Sequence, residues 1–348
     1  MKICFIIDKN LNPNSYAFIF PILLNKKNFT YLDIDIVNKD PEKIYDLIFV
    51  DSKYYITQFK NNDFDFICKN LIKIKNKCKK LIYCDNEASI FINKNIFKYI
   101  DIYLKGRLPA DINTYKKELY GQRQFTDFYH KKYNIMDNVE NYSNIIEEEQ
   151  LKKVILGWNN GICDYSYFSI VKKLIFKLSG KIFLNTNFPI LNKKKLISAR
   201  IKQRYNRNTI NYHRSIYEKL LSNYCNIERI SRNQYFKELR DSKFSFSPFG
   251  WGEICYRDFE SFLYKCILIK PNMNHIKTWP DFYIENKTYV SIPWDLNDRS
   301  LIDKIFDNEK KFKKIGKFGH ENYIKYLNND DNSVFTKYFK NLINNIVE

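Results

Sequence analysis

Short apolar runs alternate with amphipathic stretches along this chain, break at a polar segment before residue 150, and then start again. KICFII (2–7), YLDIDIV (31–37), DLIFVDS (46–52), KLIYCD (80–85) and IDIYLK (100–105) have strand length and polar boundaries. Between them, 63–79 spaces its apolar residues at near-helical period with lysines outside. Strands alternating with helices imply βαβ units and a parallel sheet. Residues 130–150, with the acidic run Glu147–Glu149, read as a linker or a helix leading into a second domain. The second series has strands over 152–158, 181–187, 243–249, 266–271 and 288–294. Its helices fall over 165–180 (closed by Gly180), 207–224, 231–242 and 257–265, and 332–347 is a final amphipathic helix. The expected architecture is α/β: two Rossmann-like domains with parallel sheets facing across a cleft, over 1–148 and 149–331.

The 348 residues suit two such domains, and 45% hydrophobic residues are enough to bury cores. No window approaches the roughly 20 apolar residues of a membrane span. The start, MKICFIIDKN, reads as a buried first strand rather than a secretory signal, so a cytoplasmic location is expected. The eight cysteines form no CxxC pair and no zinc-spaced cluster, and read as reduced and structural. The charge of +19 fits a solvated basic surface, a phosphate-bearing ligand, or peripheral contact with an anionic membrane on its inner face. With 17% aromatics it also raises an alternative, a nucleic-acid-binding protein. No RNP-like strand, helix-turn-helix pattern or zinc module supports that alternative.

Chemistry concentrates in SFSPFGWGEICYRDFESFLYKCILIKP (245–271). A strand leads into a loop with Gly250 and Gly252, then a helix start bearing Arg257 and Glu260, then another strand. Glycines admit a ligand close to the backbone, and a helix N-terminus presents free N–H groups to phosphate. Arg257 adds a charged fork for a diphosphate, and Glu260 a carboxylate able to accept both hydroxyls of a ribose. The alternative is that these carboxylates cap the helix and pair with Arg257.

The run Pro-Phe-Gly-Trp-Gly-Glu-x-x-x-Arg-x-Phe-Glu resembles the donor-site signature of group-1-like GT-B glycosyltransferases, in their spore-maturation-type and exostosin-like branches. The resemblance covers about 240–295. It implies a GT-B fold, a nucleotide-sugar donor as co-substrate with no further cofactor, Glu260 on the ribose, and Glu253 on the donor sugar or its phosphate. It also implies that the terminal helix, 332–348, crosses back to the first domain. Six residues separate Glu253 from Glu260 where the retaining families have seven, and Lys265-Cys266 stand where a glycine is usual.

Further donor-side candidates are Asn272 and His275 after the next strand, and Arg204 and Arg207 in an arginine-rich segment suited to a diphosphate clamp. The first domain is expected to bind the acceptor and supply a base from a strand-end carboxylate, with Asp8 and Asp85 foremost and Asp51, Glu87 and Asp111 behind them. No DxD-type pair stands where a metal site needs it, so no metal is expected. The sequence therefore reads as a metal-independent glycosyltransferase acting on a glycan, glycolipid or glycoprotein acceptor in polysaccharide biosynthesis.

Overall fold

The computed structural model describes residues 1–167, 169–180, 182, 184, 192–202, 204–330 and 332–348. The first sheet is built from β1 (Lys2–Ile6), β2 (Asp33–Val37), β3 (Tyr45–Asp51), β4 (Cys78–Asp85) and β5 (Ile102–Lys105). After the short β6 (Arg107–Pro109), β7 (Val154–Leu156) completes it in the order β2-β1-β3-β4-β5-β7. Every pairing in it is parallel. β1 is buried in all but its first residue, as expected of a strand covered on both faces. The reversal of strand order beside β1 is where open α/β sheets hold ligands, beyond the strands' carboxyl ends.

The second sheet comprises β8 (Lys195–Ser198), β9 (Ser242–Phe246), β10 (Ile267–Pro271) and, after the short β11 (Ile276–Thr278), β12 (Val290–Ile292). Among the described residues its order is β12-β10-β9-β8, again all parallel. The molecule is thus two α/β layers with parallel sheets, the layout expected from the sequence. The expected strand over 181–187 lies outside the described residues except for 182 and 184.

One boundary differs from expectation. The run at 152–158 reads as the first strand of the second domain, yet β7 pairs with β5, Tyr103 opposite Val154. A three-residue strand carries no signal for the sheet it joins; that choice is made by a non-local neighbour. The following helix, Ser169–Ser179, also leans on the first domain, with the Phe176 ring 5.7 Å from Tyr16. The second sheet begins only at Lys195.

Two crossings lock the domains together. β6 leaves the first domain to pair antiparallel with β11, and the Ala110 N–H donates to the His275 carbonyl at 2.8 Å. The helix Gln124–Tyr133 packs on Asn208–Leu221 of the second domain. In return, the last helix, Val334–Val347, lies on the first domain, with the Phe339 ring 5.1 Å from Phe29 and 6.2 Å from Phe5. Trp158 stacks on Phe18 at 4.9 Å and donates its indole N–H to the Phe18 carbonyl at 2.8 Å. Much of the aromatic content is core of this kind, which removes it from the account of a nucleic-acid surface. No helix of the described residues is long and apolar enough to cross a membrane.

Candidate functional site

Two adjoining cavities open where the carboxyl ends of the two sheets meet. The larger, of about 640 Å³, is lined by the loop after β9, the start of the helix Tyr256–Leu263, and the segment before the helix Arg232–Asp241. Among the described residues, six arginines (Arg107, Arg200, Arg214, Arg229, Arg232 and Arg257) share it with a single carboxylate, Glu260. The smaller, of about 410 Å³, belongs mainly to the first domain and is lined by Phe59, Tyr83, Phe91 and Tyr103 with Asp85 and Glu87. Ala88 and Trp251 form part of both walls.

The glycines of the loop are required by close approach. A Cβ on Gly250 would stand 2.8 Å from the Tyr205 hydroxyl, and one on Gly252 would fall on the Ala88 carbonyl oxygen. That carbonyl also accepts from Arg107 at 2.6 Å, and Arg123 donates to the Trp251 carbonyl at 2.5 Å. The loop is therefore seated on the first domain at a position where any side chain at 252 would clash.

Beneath the loop lies a fully buried polar frame. Lys270 is 3.1 Å from Asp258, which also accepts from the Tyr283 hydroxyl at 2.7 Å and from the Cys255 N–H at 3.0 Å. Lys270 reaches the Ser247 carbonyl at 3.3 Å, tying the strand end to the helix start. His213 braces the same loop, its Nε2 accepting from the Phe249 N–H at 3.0 Å while Nδ1 lies 2.8 Å from the Tyr129 hydroxyl. Burial drives the His213 pKa well below its ordinary value, so the ring is neutral with its proton on Nδ1.

Glu260 stands in the cavity wall, with the Tyr235 hydroxyl donating to Oε2 at 2.8 Å. Burial raises its pKa, while Tyr235 and Arg257 pull the other way. Arg257 donates to the Arg200 carbonyl at 2.7 Å and Arg214 to the Phe249 carbonyl at 3.0 Å. The Nε of each is buried without a partner among the described residues. Arg229 is exposed in the wall and has no hydrogen bond or ion pair among the described residues. This wall suits an anion that takes several guanidinium donors at once.

The other expected site residues lie elsewhere. Glu253 is fully buried, with Oε1 3.4 Å from His275 Nε2 and Oε2 unpartnered. Burial pulls its pKa up, but the bond and charge of His275 hold it below the ordinary value. Neither Glu253 nor His275 lines either cavity, and Asn272 is bonded to Ser291 at 3.0 Å. Arg204 pairs with Glu218 at 3.0 Å, and Arg207 donates to the Gly121 carbonyl at 3.0 Å; both are outside the arginine wall. Asp8 closes its own turn, accepting from the Asn10 and Asn12 N–H groups at 3.2 and 2.8 Å, and lines neither cavity. Asp85 does line the smaller one, but its Oδ2 already accepts from Tyr103 at 2.6 Å and Lys105 at 2.7 Å. Glu87, 47% exposed and paired on Oε1 with Lys53, is the more open carboxylate there.

Sequence reasoning passed over Arg229, Arg232 and Tyr235. Their signal was the RISR run (229–232), whose Ser231 opens a capping box, which puts two arginines at a helix start. Among the described residues, no three His, Cys, Asp or Glu side chains come together as a metal cluster.

No family model and no curated protein matches the chain. Among solved structures, a glycosyltransferase from Rickettsia africae aligns over 100% of this chain and 98% of its own at 11% identity, with a TM-score of 0.47. Anabaena Alr3699/HepE in complex with UDP-glucose aligns over 99% and 100% at 9% identity and 0.43, and an alpha-glucosyltransferase in complex with UDP over 99% and 100% at 10% and 0.44. At such scores these likenesses carry no argument, and the two-sheet layout rests on the strand pairings described above.

Proposed function

We propose that this chain is a GT-B glycosyltransferase that binds a nucleotide-diphosphate sugar in the larger cavity and a sugar-bearing acceptor in the smaller. The observation that carries the reading is the lining of the larger cavity: among the described residues, six arginines, two with buried unpartnered Nε groups, against one carboxylate in the second turn of a helix. A diphosphate needs such donors, and Glu260 supplies the acceptor pair for a ribose. The smaller cavity, apolar and aromatic with carboxylates at its edge, has the character of a carbohydrate site, where sugar faces pack on rings.

In the transfer the donor's anomeric C–O bond breaks and its electron pair leaves with the diphosphate. A bond forms from the acceptor oxygen to the anomeric carbon, and the hydroxyl proton passes to Glu87. The arginines and the helix N–H groups carry the growing charge on the leaving group, so the transfer proceeds without a divalent metal. The acceptor is a glycan, glycolipid or glycoprotein intermediate of polysaccharide assembly, made at the cytoplasmic side.

The test is a thermal-shift series with UDP, GDP, ADP, CMP and dTDP on wild type and Glu260→Ala, with and without EDTA. A nucleotide at about 100 times its dissociation constant stabilises the fold by roughly 2.7 kcal/mol. One nucleotide is expected to raise the wild-type melting temperature in EDTA and to leave the variant unmoved. No shift with any of the five, or an equal shift in a folded Glu260→Ala or Glu260→Gln, sinks the reading.

A further inference from the structure

The helix Ser169–Ser179 is amphipathic in the inverted sense. At 100° per residue, Ile170, Leu174, Leu178, Val171 and Ile175 fall on one arc of about 140°. That arc faces outward: the five are 62%, 56%, 82%, 54% and 38% exposed in the same order. The opposite side holds the helix to the protein through Phe176 on Tyr16, Lys172 on Asp164 at 2.5 Å, and Lys177 on the Asn10 carbonyl at 2.6 Å. An ordinary surface helix puts its aliphatic side chains inward and its lysines outward. Here the core takes one aromatic ring and water takes five aliphatic side chains.

The charge on this helix has one sign. It carries Lys172, Lys173 and Lys177 and no acidic residue, on a chain of net charge +19. Lys173 flanks one edge of the apolar arc and has no hydrogen bond or ion pair among the described residues, so its long side chain can reach a lipid phosphate while the arc is submerged.

We infer that the Ser169–Ser179 helix docks the protein on an anionic lipid surface, with Ile170, Val171, Leu174, Ile175 and Leu178 entering the headgroup–acyl boundary. A stable protein partner is the weaker occupant, because such interfaces bury about 800 Å² and 20–30 residues a side, far more than one face of an 11-residue helix offers. For a lipid surface five aliphatic side chains with Lys173 beside them, on a chain of net charge +19, are sufficient, since interfacial helices bind by apolar burial plus attraction to anionic headgroups. The inference is independent of the glycosyl-transfer reading, because none of these residues lines either cavity.

The experiment is co-sedimentation of the full chain with phosphatidylglycerol/phosphatidylcholine vesicles and with phosphatidylcholine vesicles. Wild type, Leu174→Glu/Leu178→Glu and Lys173→Glu are compared, each with its melting temperature measured without vesicles. Wild type is expected in the anionic pellet only. The leucine variant should lose partitioning by about a hundredfold, roughly tenfold per submerged leucine, and Lys173→Glu by severalfold. The leucine variant should melt with the wild type, since both changed side chains are more than half exposed. Three results overturn the inference. Wild type stays in the supernatant, or the leucine variant pellets like wild type, which would assign any binding to basic charge elsewhere. Alternatively, the leucine variant melts several degrees lower or abolishes a concentration-dependent dimer, which would mean that protein covers the arc.

Discussion

The two domains carry the same buried device and use it differently. In the first, Lys105 at the end of β5 meets Asp85 at the end of β4, and the Tyr103 hydroxyl donates to the same carboxylate oxygen. In the second, Lys270 on β10 meets Asp258, which also takes the Tyr283 hydroxyl. Both lysines are wholly shielded from water. Burial pulls the Lys105 pKa down, against the opposing attraction of Asp85. The first triad is part of a cavity wall, with Asp85 and Tyr103 lining the aromatic pocket. The second lines neither of the two adjoining cavities and instead fixes the glycine loop whose surface forms the arginine cavity. A buried ion pair is weak evidence of stability, because desolvation offsets its attraction, but it sets geometry firmly. The comparison teaches that the aromatic pocket is built from the device itself, whereas the arginine cavity is built on top of it.

The strongest way to break this comparison is to remove each lysine. Lys105→Met and Lys270→Met each strand a buried carboxylate, and each should cost about 3–5 kcal/mol in urea unfolding. Their functional signatures should then part. At a temperature where both remain folded, Lys270→Met is expected to lose nucleotide stabilisation as its loop shifts. Lys105→Met should keep it and lose only turnover. Equal nucleotide binding in both would show that the loop does not depend on its frame.

Asp51 sharpens the contrast within the first sheet, because it is buried at the end of β3 with no lysine ammonium bonded to it among the described residues. Burial raises its pKa to about 6, against bonds from Ser15, the Lys53 N–H and Asn86. The raised value means that the folded state holds the proton more tightly than the unfolded chain. Its contribution is therefore full below the unfolded pKa and is lost as pH rises through about 6. Between about pH 4 and 6 wild type should lose on the order of 3 kcal/mol relative to Asp51→Asn. Parallel stability–pH curves for the two proteins would show that Asp51 ionises freely.

Local pattern made most of the framework legible. The strands of the first sheet, the helix after the glycine loop and the terminal helix all carry their period and boundaries in the residues themselves. What stayed hidden was non-local or lacked a period. The helix Pro13–Leu24 is apolar on every side, with Pro21 inside it, so it shows no amphipathic face to read. The allegiance of β7 is decided by β5, some fifty residues earlier. In the site, Gly250, Gly252, Arg257 and Glu260 were legible because one strand–loop–helix unit holds them together. The arginine wall was not, because Arg107, Arg214 and the pair Arg229 and Arg232 arrive from three separate segments. Arg204 and Arg207 have the same local chemistry as Arg200 and Arg214; only the turn of the chain decides which pair meets the cavity.

The smallest expected effect comes from the far end of the helix that follows the glycine loop. Tyr256–Leu263 closes in a Schellman motif: the Cys266 N–H donates to the Ser261 carbonyl at 2.9 Å and the Lys265 N–H to the Phe262 carbonyl at 3.2 Å. The motif requires a left-handed residue at 265, and Lys265 adopts a φ of 56° there. A lysine pays a steric cost in that conformation which glycine avoids, partly offset by glycine's greater freedom in the unfolded chain. Lys265→Gly should therefore raise stability by about 0.5–1 kcal/mol, read as a higher urea midpoint at unchanged slope. Nucleotide stabilisation should not move, because the cavity meets the other end of the helix, which the buried triad holds. A gain in stability accompanied by weaker nucleotide binding would mean that the helix transmits strain along its length, and that Lys270, Asp258 and Tyr283 do not by themselves fix the loop.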